Sequence, residues 1–319
     1  MGMIAAFDAS GDECSQLILV VAGFISSAGD WEDFSKKWLD RLQRDGIKYM
    51  HMKEYAHSTG QFADGWKGNK PRRDALLGDL MDILSSHTYR KFGMVITNET
   101  FRNSISAETQ KEWHLNAYSL AGRSCAKQIN EWAMEERYRS PIELVFEKGD
   151  IGSGKLHARL VEDGYQAPSF KPKKDEFTPE GVLIPAFVPL HAADFLAYEL
   201  FLEVTRIAKG DTEHAPRWAF LEFYRKVGDI GTYKIDDLKR FQSMVDLTKT
   251  VDEWALSKGL LKKDEQGRLY REIKTKTCTL PLFVWGKVYS DSGMSMTAPV
   301  CLSHRPSRIL WEKSGTRSR

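Results

Sequence analysis

Three acidic residues stand in segments where an ionised side chain is costly. Asp8 ends an apolar, strand-like segment and enters a turn, and Glu147 ends a second segment of the same kind. Asp194 lies beside an apolar stripe at helical spacing, made up of Leu190, Ala193, Ala197, Leu200 and Val204. A carboxylate in such surroundings is unfavourable unless it is paired or binds a metal ion.

Carboxylate oxygens are the ligands that Mg²⁺ and Mn²⁺ prefer, so the three acids predict a site for one of these ions. Ions held in this way can stabilise the attacking and leaving oxygens of phosphodiester hydrolysis. Each acid also has a simpler interpretation. Asp8 is suited to forming a turn, Glu147 to a solvated strand end, and Asp194 to a helix carboxylate with a local partner.

The hydrophobic pattern predicts the elements that must position these acids. Strands are expected at 4–7, 17–25, 92–97, 142–147 and 183–188. Helices are expected at 30–44, with Asp30 as N-cap, and at 72–86, 113–132, 155–161, 190–204, 217–227 and 238–247. This order favours an α/β fold in which one central mixed sheet carries helices on its faces.

The overall composition of the chain limits the classes of protein to which it can belong. The chain has 319 residues, 42% hydrophobic and 28% charged, which is ordinary for a globular protein with a sizeable core. A net charge of +2 requires any nucleic-acid surface to come from local clustering. The four cysteines form no closely spaced pair, which predicts a reduced, cytoplasmic compartment. The longest apolar run, 17–25, is too short to span a bilayer, so no membrane partner is expected.

Three motifs resemble a known family when they are taken together and in order. The opening segment is Phe7-Asp8-Ala9-Ser10-Gly11-Asp12, the middle one is Val145-Phe146-Glu147-Lys148-Gly149-Asp150, and the closing one runs from Pro189 to Glu199 around Ala193-Asp194. They are similar to motifs of the RNase H-like family called domain of unknown function 3800. The resemblance covers roughly residues 3 to 205 and includes the His51 segment, Tyr49 to Glu54.

The resemblance implies an RNase H-like mixed sheet with helices on both faces and a metal site formed by Asp8, Glu147 and Asp194. It predicts an RNase H-like domain over 1–249, with a helical insertion at about 28–88, and a mostly helical extension over 250–319. Ala9 departs from the family pattern, in which a Glu follows the first Asp; Asp12 or Glu13 could compensate. His191 stands where the family often has Gln.

Several residues near the acids are candidates for substrate contact. His191 shares a helix face with Asp194 and is expected either to assist catalysis or to bond to backbone. His51 and Glu54, three residues apart, could form a pair beside the metal or contact the metal themselves. Ser10, Gly11, His51, Lys148 and Lys155 are the expected substrate-binding residues.

A second motif overlaps the middle acid. Residues 149–155 match the Gly-x-x-x-x-Gly-Lys pattern of a phosphate-binding loop, but Leu156 replaces the usual Ser or Thr. Basic residues that could contact nucleic acid cluster at 72–73, 171–174 and 262–263 and in the tail after 303. Trp66, in a glycine-rich segment, is a candidate for base stacking.

These observations favour a metal-dependent nuclease or related phosphodiesterase that uses Mg²⁺ or Mn²⁺ to activate water, with DNA or RNA as its partner. The first alternative is a non-catalytic RNase H-like module that binds nucleic acid or protein. The second is a nucleotide-binding protein that uses Lys155. The sequence leaves the oligomeric state open.

Overall fold

The computed structural model describes residues 2–11, 17–211, 213–226 and 228–263, except for the side chains of 224 and 235. It also describes the backbone of 269–270, 282–289 and 295–302. Asp12, Glu13 and the basic tail after 303 lie outside the described residues. The chain divides into two compact units, which cover 1–247 and 248–319.

The first unit is built on a six-stranded mixed sheet with the order β5-β4-β1-β2-β3-β8. Its strands are β1 (Met3–Ser10), β2 (Ile18–Ser27), β3 (Arg90–Thr97), β4 (Ile142–Glu147), β5 (Ser169–Lys171) and β8 (Gly228–Thr232). The first three form an antiparallel meander, whereas β4 runs parallel to β1 and β5 runs parallel to β4. The prediction of one central mixed sheet flanked by helices is confirmed.

Helices fill the connections between the strands. Between β2 and β3 lie α1 (Ala28–Arg44), α2 (Met52–His57), a short 3₁₀ helix (Gly60–Phe62) and α3 (Lys70–His87). After β3 come α4 (Asn98–Ser104), α5 (Ala107–Glu112), α6 (Ala117–Glu135), α7 (Ser153–Glu162), α8 (Pro189–Ala208), α9 (Trp218–Arg225) and α10 (Ile235–Ser257). In the described part of the chain no helix combines the length and the apolar character needed to cross a membrane.

The sheet separates two hydrophobic cores, because successive side chains of a strand point to opposite faces. Ala6 of β1 packs in the core that includes α1, α3 and α8, while Phe7 packs in the core that includes α6 and α7. All ten residues of β2 are buried, which is expected for a central strand covered on both faces. Cys125 of α6 is a buried free thiol.

Two local predictions are wrong. The 183–188 segment forms only the two-residue strand β7 (Leu183–Ile184), which pairs with β6 (Glu176–Phe177) outside the main sheet. Pro185 lacks a backbone N–H and cannot donate to a strand ladder. The N-cap of α1 is Ser27 rather than Asp30, since the Ser27 hydroxyl accepts a 3.0 Å hydrogen bond from the Asp30 backbone N–H.

The second unit also departs from the expected mostly helical extension. In its described part, two strands of two residues and two of eight residues follow the end of α10: β9 (Lys262–Lys263), β10 (Leu269–Tyr270), β11 (Leu282–Tyr289) and β12 (Ser295–Leu302). They form two antiparallel pairs, β9 with β10 and β11 with β12. The valine and aromatic residues of β11 favour extended backbone, which explains the difference.

Candidate metal centre

Two adjacent parallel strands bring Asp8 and Glu147 to the same edge of the sheet. The register pairs Phe7 with Phe146, so each acid is the next residue along its strand. The two phenylalanine rings stack at a centroid distance of 5.2 Å in the core on the α6 face. Because side chains alternate along a strand, Asp8 and Glu147 project to the opposite face, which α8 covers.

The first turns of α8 supply the third acid. Pro189 occupies the N-terminal turn, where its missing N–H costs no hydrogen bond. Asp194 is 4% exposed, and its Oδ2 accepts a 2.7 Å hydrogen bond from the backbone N–H of Met52. This bond connects α8 to the start of α2 and fixes the orientation of the carboxylate.

Lys173 lies among the three predicted acids. Its Nζ is 2.7 Å from Asp8 Oδ2, 3.1 Å from Glu147 Oε2 and 3.3 Å from Asp194 Oδ1. Strand β5 pairs Lys171 with Glu147, so Lys173 follows at the same edge of the sheet as the acids. The structure therefore brings Asp8, Glu147 and Asp194 together around one ammonium group.

A fourth acid joins the cluster from the loop after β4. One carboxylate oxygen each of Asp8, Glu147 and Asp150 lies within 4.8 Å of the others, a spacing that one metal ion can bridge. Gly149 and Gly152 both have positive φ, near 105°, which turns the chain sharply on either side of Asp150. This all-oxygen donor set suits a hard divalent cation such as Mg²⁺ or Mn²⁺.

Burial and mutual repulsion shift the pKa values of the carboxyl groups apart. Burial, with the nearby Asp8 charge, raises the pKa of Glu147 to about 9 and that of Asp150 to about 7. Burial also raises the pKa of Asp194. For Asp8, the effect of burial is outweighed by the Lys173 charge and by hydrogen bonds from Glu147 and Lys173, so its pKa is lowered. Asp8 therefore stays ionised beside the ammonium, whereas the pKa values of Glu147, Asp150 and Asp194 are all raised.

The ammonium itself is held in its charged form. Burial favours the neutral amine, but the charges of Asp194, Asp8 and Glu147 outweigh burial and raise the pKa of Lys173 well above its ordinary value. The Lys173 side chain is only 11% exposed. A buried ammonium surrounded by carboxylates is stable because its charge is compensated on several sides.

His191 has a positioning role in this arrangement. It is fully buried, and its Nε2 lies 2.8 Å from the backbone carbonyl of Lys173. Burial lowers the pKa of His191 to about 4, so the ring is neutral near pH 7 and must carry its proton on Nε2 to donate this bond. The geometry favours the backbone-bonding interpretation of His191 over the catalytic one.

Three residues that were predicted to bind substrate lie at the start of α2 (His51), at the end of β1 (Ser10) and in the turn that follows β1 (Gly11). His51 immediately precedes α2 without capping it through its side chain, and its Nδ1 is 3.2 Å from Glu54 Oε1, so the predicted pair is present. Ser10 ends β1 and is nearly buried. Gly11 has a φ of +86°, and a Cβ there would lie 2.2 Å from the Ile18 carbonyl oxygen. Gly11 therefore serves the turn after Asp8.

Lys148 and Lys155, which were both expected to bind substrate, contact groups of the protein itself. Lys148 Nζ forms a 2.7 Å ion pair with Glu176 of β6, and Lys155 Nζ donates a 3.0 Å hydrogen bond to the Leu115 carbonyl. Both amines therefore already have partners within the chain. This arrangement gives no support to a phosphate-binding loop that uses Lys155.

Two further basic residues, Arg72 and Arg73, also contact groups of the protein itself. Arg72 contacts Asp45 at 2.9 Å, and its guanidinium lies 4.0 Å from the centre of the Trp66 ring. Arg73 donates to the Ser58 hydroxyl and lies over the Tyr55 ring. Trp66 is only 2% exposed, so the prediction that it stacks on a base is wrong: its ring is used in packing.

Ala9 lies on the face away from α8. Its side chain packs against the core that contains Phe7, while its backbone N–H donates a 2.7 Å hydrogen bond to Asp8 Oδ1. A Glu side chain at position 9 would project from the face of the sheet that is opposite to α8. The absence of a Glu at position 9 therefore removes no carboxylate from the α8 face.

Sequence reasoning missed Asp150 as a ligand candidate and Lys173 as the central cation. Asp150 falls in both the middle motif and the phosphate-binding pattern, and neither pattern marks it as a metal ligand, although it follows Glu147 by three residues in a glycine turn. Lys173 lies in a basic loop with no distinguishing local signal. No protein-family model matches the chain, and a search of curated proteins finds no match.

Proposed function

We propose that the protein is an RNase H-like, metal-dependent nuclease or related phosphodiesterase. The observation that carries the proposal is the buried carboxylate cluster of Asp8, Glu147 and Asp150, with Asp194 facing it across the Lys173 ammonium. The mixed sheet with helices on both faces and the order of the acid-bearing elements support the RNase H-like part. The nucleic-acid substrate rests on the motif resemblance.

In this proposal, Asp8, Glu147 and Asp150 hold Mg²⁺ or Mn²⁺ through carboxylate oxygens. The bound cation supplies Lewis acidity for hydrolysis of a phosphodiester bond. Asp194 is kept in place by the Met52 backbone N–H, and His191 holds the Lys173 segment against α8. The protein thus contributes three carboxylates to the ion, two from strands β1 and β4 and one from the loop after β4.

The test is cleavage of end-labelled single- and double-stranded DNA and RNA in Mg²⁺, in Mn²⁺ and in EDTA. The wild-type protein is expected to cleave at least one substrate in metal, and Asp8→Asn is expected to lose that activity by roughly 100-fold or more. Asp64→Asn, which changes an exposed acid in a turn, is the matched control and should retain wild-type activity. Equal inactivity of all three proteins on every substrate would contradict the nuclease proposal.

A further inference from the structure

In both Asp8 and Asp194, one carboxylate oxygen accepts a hydrogen bond from a backbone amide and the other oxygen contacts Lys173. Asp8 Oδ1 accepts from the Ala9 N–H, and Asp8 Oδ2 contacts the Lys173 ammonium. Asp194 Oδ2 accepts from the Met52 N–H, and Asp194 Oδ1 contacts the same ammonium. In both acids, the oxygen that no backbone amide contacts is therefore the one that faces Lys173.

The ammonium also reaches the residues that could ligate a metal. Its Nζ contacts Asp8 and Glu147, two of the three acids whose oxygens lie close enough to bind one ion. An ammonium and a divalent cation on the same oxygens repel each other strongly in a buried site, where solvent screens charge poorly. The two cations thus compete for the same carboxylates.

The backbone that carries Lys173 is anchored, whereas its side chain can change conformation. The Lys173 carbonyl accepts from His191, and the carbonyl of the buried Pro172 accepts a 2.9 Å hydrogen bond from the Phe187 N–H. A lysine stem has four methylene groups, and its rotamers differ widely in where they place the amine. Rotation of this stem could withdraw the ammonium from the cluster while both backbone hydrogen bonds remain.

We propose that Lys173 is an internal counter-ion that occupies the cation position of the metal-free protein and is displaced when a divalent cation binds. This inference rests on the metal-binding part of the proposed function and not on cleavage. Lys173 holds the buried acids Asp8, Glu147 and Asp194 together while no metal is present, and it weakens metal affinity by competing for Asp8 and Glu147. Lys173 is a positioning residue that sets the metal concentration at which the site fills.

Metal affinity tests the competition directly. Mn²⁺ is titrated into the full-length wild-type protein, Lys173→Met and Lys174→Met, and free Mn²⁺ is followed by electron paramagnetic resonance. Met keeps the apolar stem of the side chain, and Lys174 is an exposed neighbour in the same loop. Lys173→Met is expected to bind Mn²⁺ roughly tenfold more tightly or better, and Lys174→Met like the wild type. Unchanged or weaker binding by Lys173→Met would overturn the inference.

Amine labelling tests the displacement in the wild-type protein and does not depend on the folding of a variant. The protein is treated briefly with an acetylating ester, with and without saturating Mg²⁺, and each lysine is quantified by mass spectrometry. Acetylation of Lys173 is expected to rise in Mg²⁺, because the displaced amine becomes accessible, whereas acetylation of Lys174 stays constant. Constant labelling of Lys173 while Mg²⁺ binds would also overturn the inference.

These experiments separate the inference from the nuclease proposal. A protein that binds Mn²⁺ with the expected Lys173 effects, yet cleaves nothing, supports the counter-ion role and contradicts the nuclease. A protein that cleaves in metal, with Lys173→Met binding Mn²⁺ as the wild type does, supports the nuclease and contradicts the counter-ion. If none of the three proteins binds Mn²⁺, both are overturned.

Discussion

His191 Nε2 donates a 2.8 Å hydrogen bond to the backbone carbonyl of Lys173, the residue whose ammonium contacts three carboxylates. The bond joins the first turn of α8 to the segment after β5, so one helix supplies both an acid of the cluster and the anchor of its counter-ion. His191 is fully buried, so the bond is shielded from water. The position of Lys173 therefore depends on His191, a neutral residue that forms no charged contact with the acids.

Replacement of His191 by Phe should destabilise the protein measurably. The aromatic ring keeps most of the packing beside Trp38, but the Lys173 carbonyl loses its donor. An unsatisfied buried carbonyl costs about 1–3 kcal/mol, and we expect a decrease of that size in the free energy of unfolding in urea. His57→Phe, at an exposed position in α2, is the control and should change little. A His191→Phe variant as stable as the wild type would show that the bond contributes nothing.

Metal affinity should increase with pH. The pKa of Asp150 is raised to about 7 and that of Glu147 to about 9, so both acids are largely protonated at pH 6 and must lose their protons to bind a cation. We therefore expect Mn²⁺ affinity to rise between pH 6 and pH 9 in about the range of these pKa values. Calorimetry in buffers of different ionisation enthalpy should also detect proton release on binding. An affinity that is constant over this range would contradict the protonated cluster.

Glu199 should make the protein less stable as pH rises from about 4.5 to about 7. It is fully buried in α8, and burial raises its pKa to about 7 although Arg217 lies 3.1 Å away. Below the unfolded-state pKa of 4.5 the group is protonated in both states, whereas above pH 7 it is ionised in both and costs stability. The cost reaches at most roughly 3 kcal/mol, at about 1.4 kcal/mol for each unit of pKa shift.

Urea denaturation of Glu199→Gln at pH 5 and pH 8 measures this cost. The stability difference between the variant and the wild type should move in favour of the variant at pH 8, because Gln carries no charge to bury. Glu213→Gln, an exposed substitution, should follow the wild type at both values. The same difference at pH 5 and pH 8 for Glu199→Gln would be inconsistent with a buried carboxylate of raised pKa.

Trp66 should matter for stability and not for nucleic-acid contact. Its ring packs edge-on against Phe62 and under the Arg72 guanidinium, and it is almost completely buried. Trp66→Ala should lower the free energy of unfolding by about 3–5 kcal/mol, as large core truncations do. Trp218→Ala changes an exposed tryptophan and is the matched control. A stable Trp66→Ala protein that has lost nucleic-acid binding would restore the stacking interpretation.

The sequence alone identified strands β1 to β4 of the central sheet and the acids that β1 and β4 carry, but it did not identify the short strands β5 and β8 of the same sheet. Runs of apolar residues in β1, β2 and β4 are long enough to identify strands, and the spacing of apolar residues in α1 and α8 identifies helices. An acid at the end of such a run is visible because charge is costly there. The predicted strand at 183–188 ends at Ile184 because Pro185 cannot donate the hydrogen bond that a longer strand needs.

Only the tertiary structure decided which groups complete the cluster. Lys173 and Asp8 are 165 residues apart, and a lysine in a basic loop has the same local pattern whether it faces solvent or a buried acid. Likewise, the partners of Lys148, Lys155 and Arg72 come from distant segments. Hydrophobic periodicity reports which face of an element is buried, but the pairing of charges depends on which elements the fold brings together.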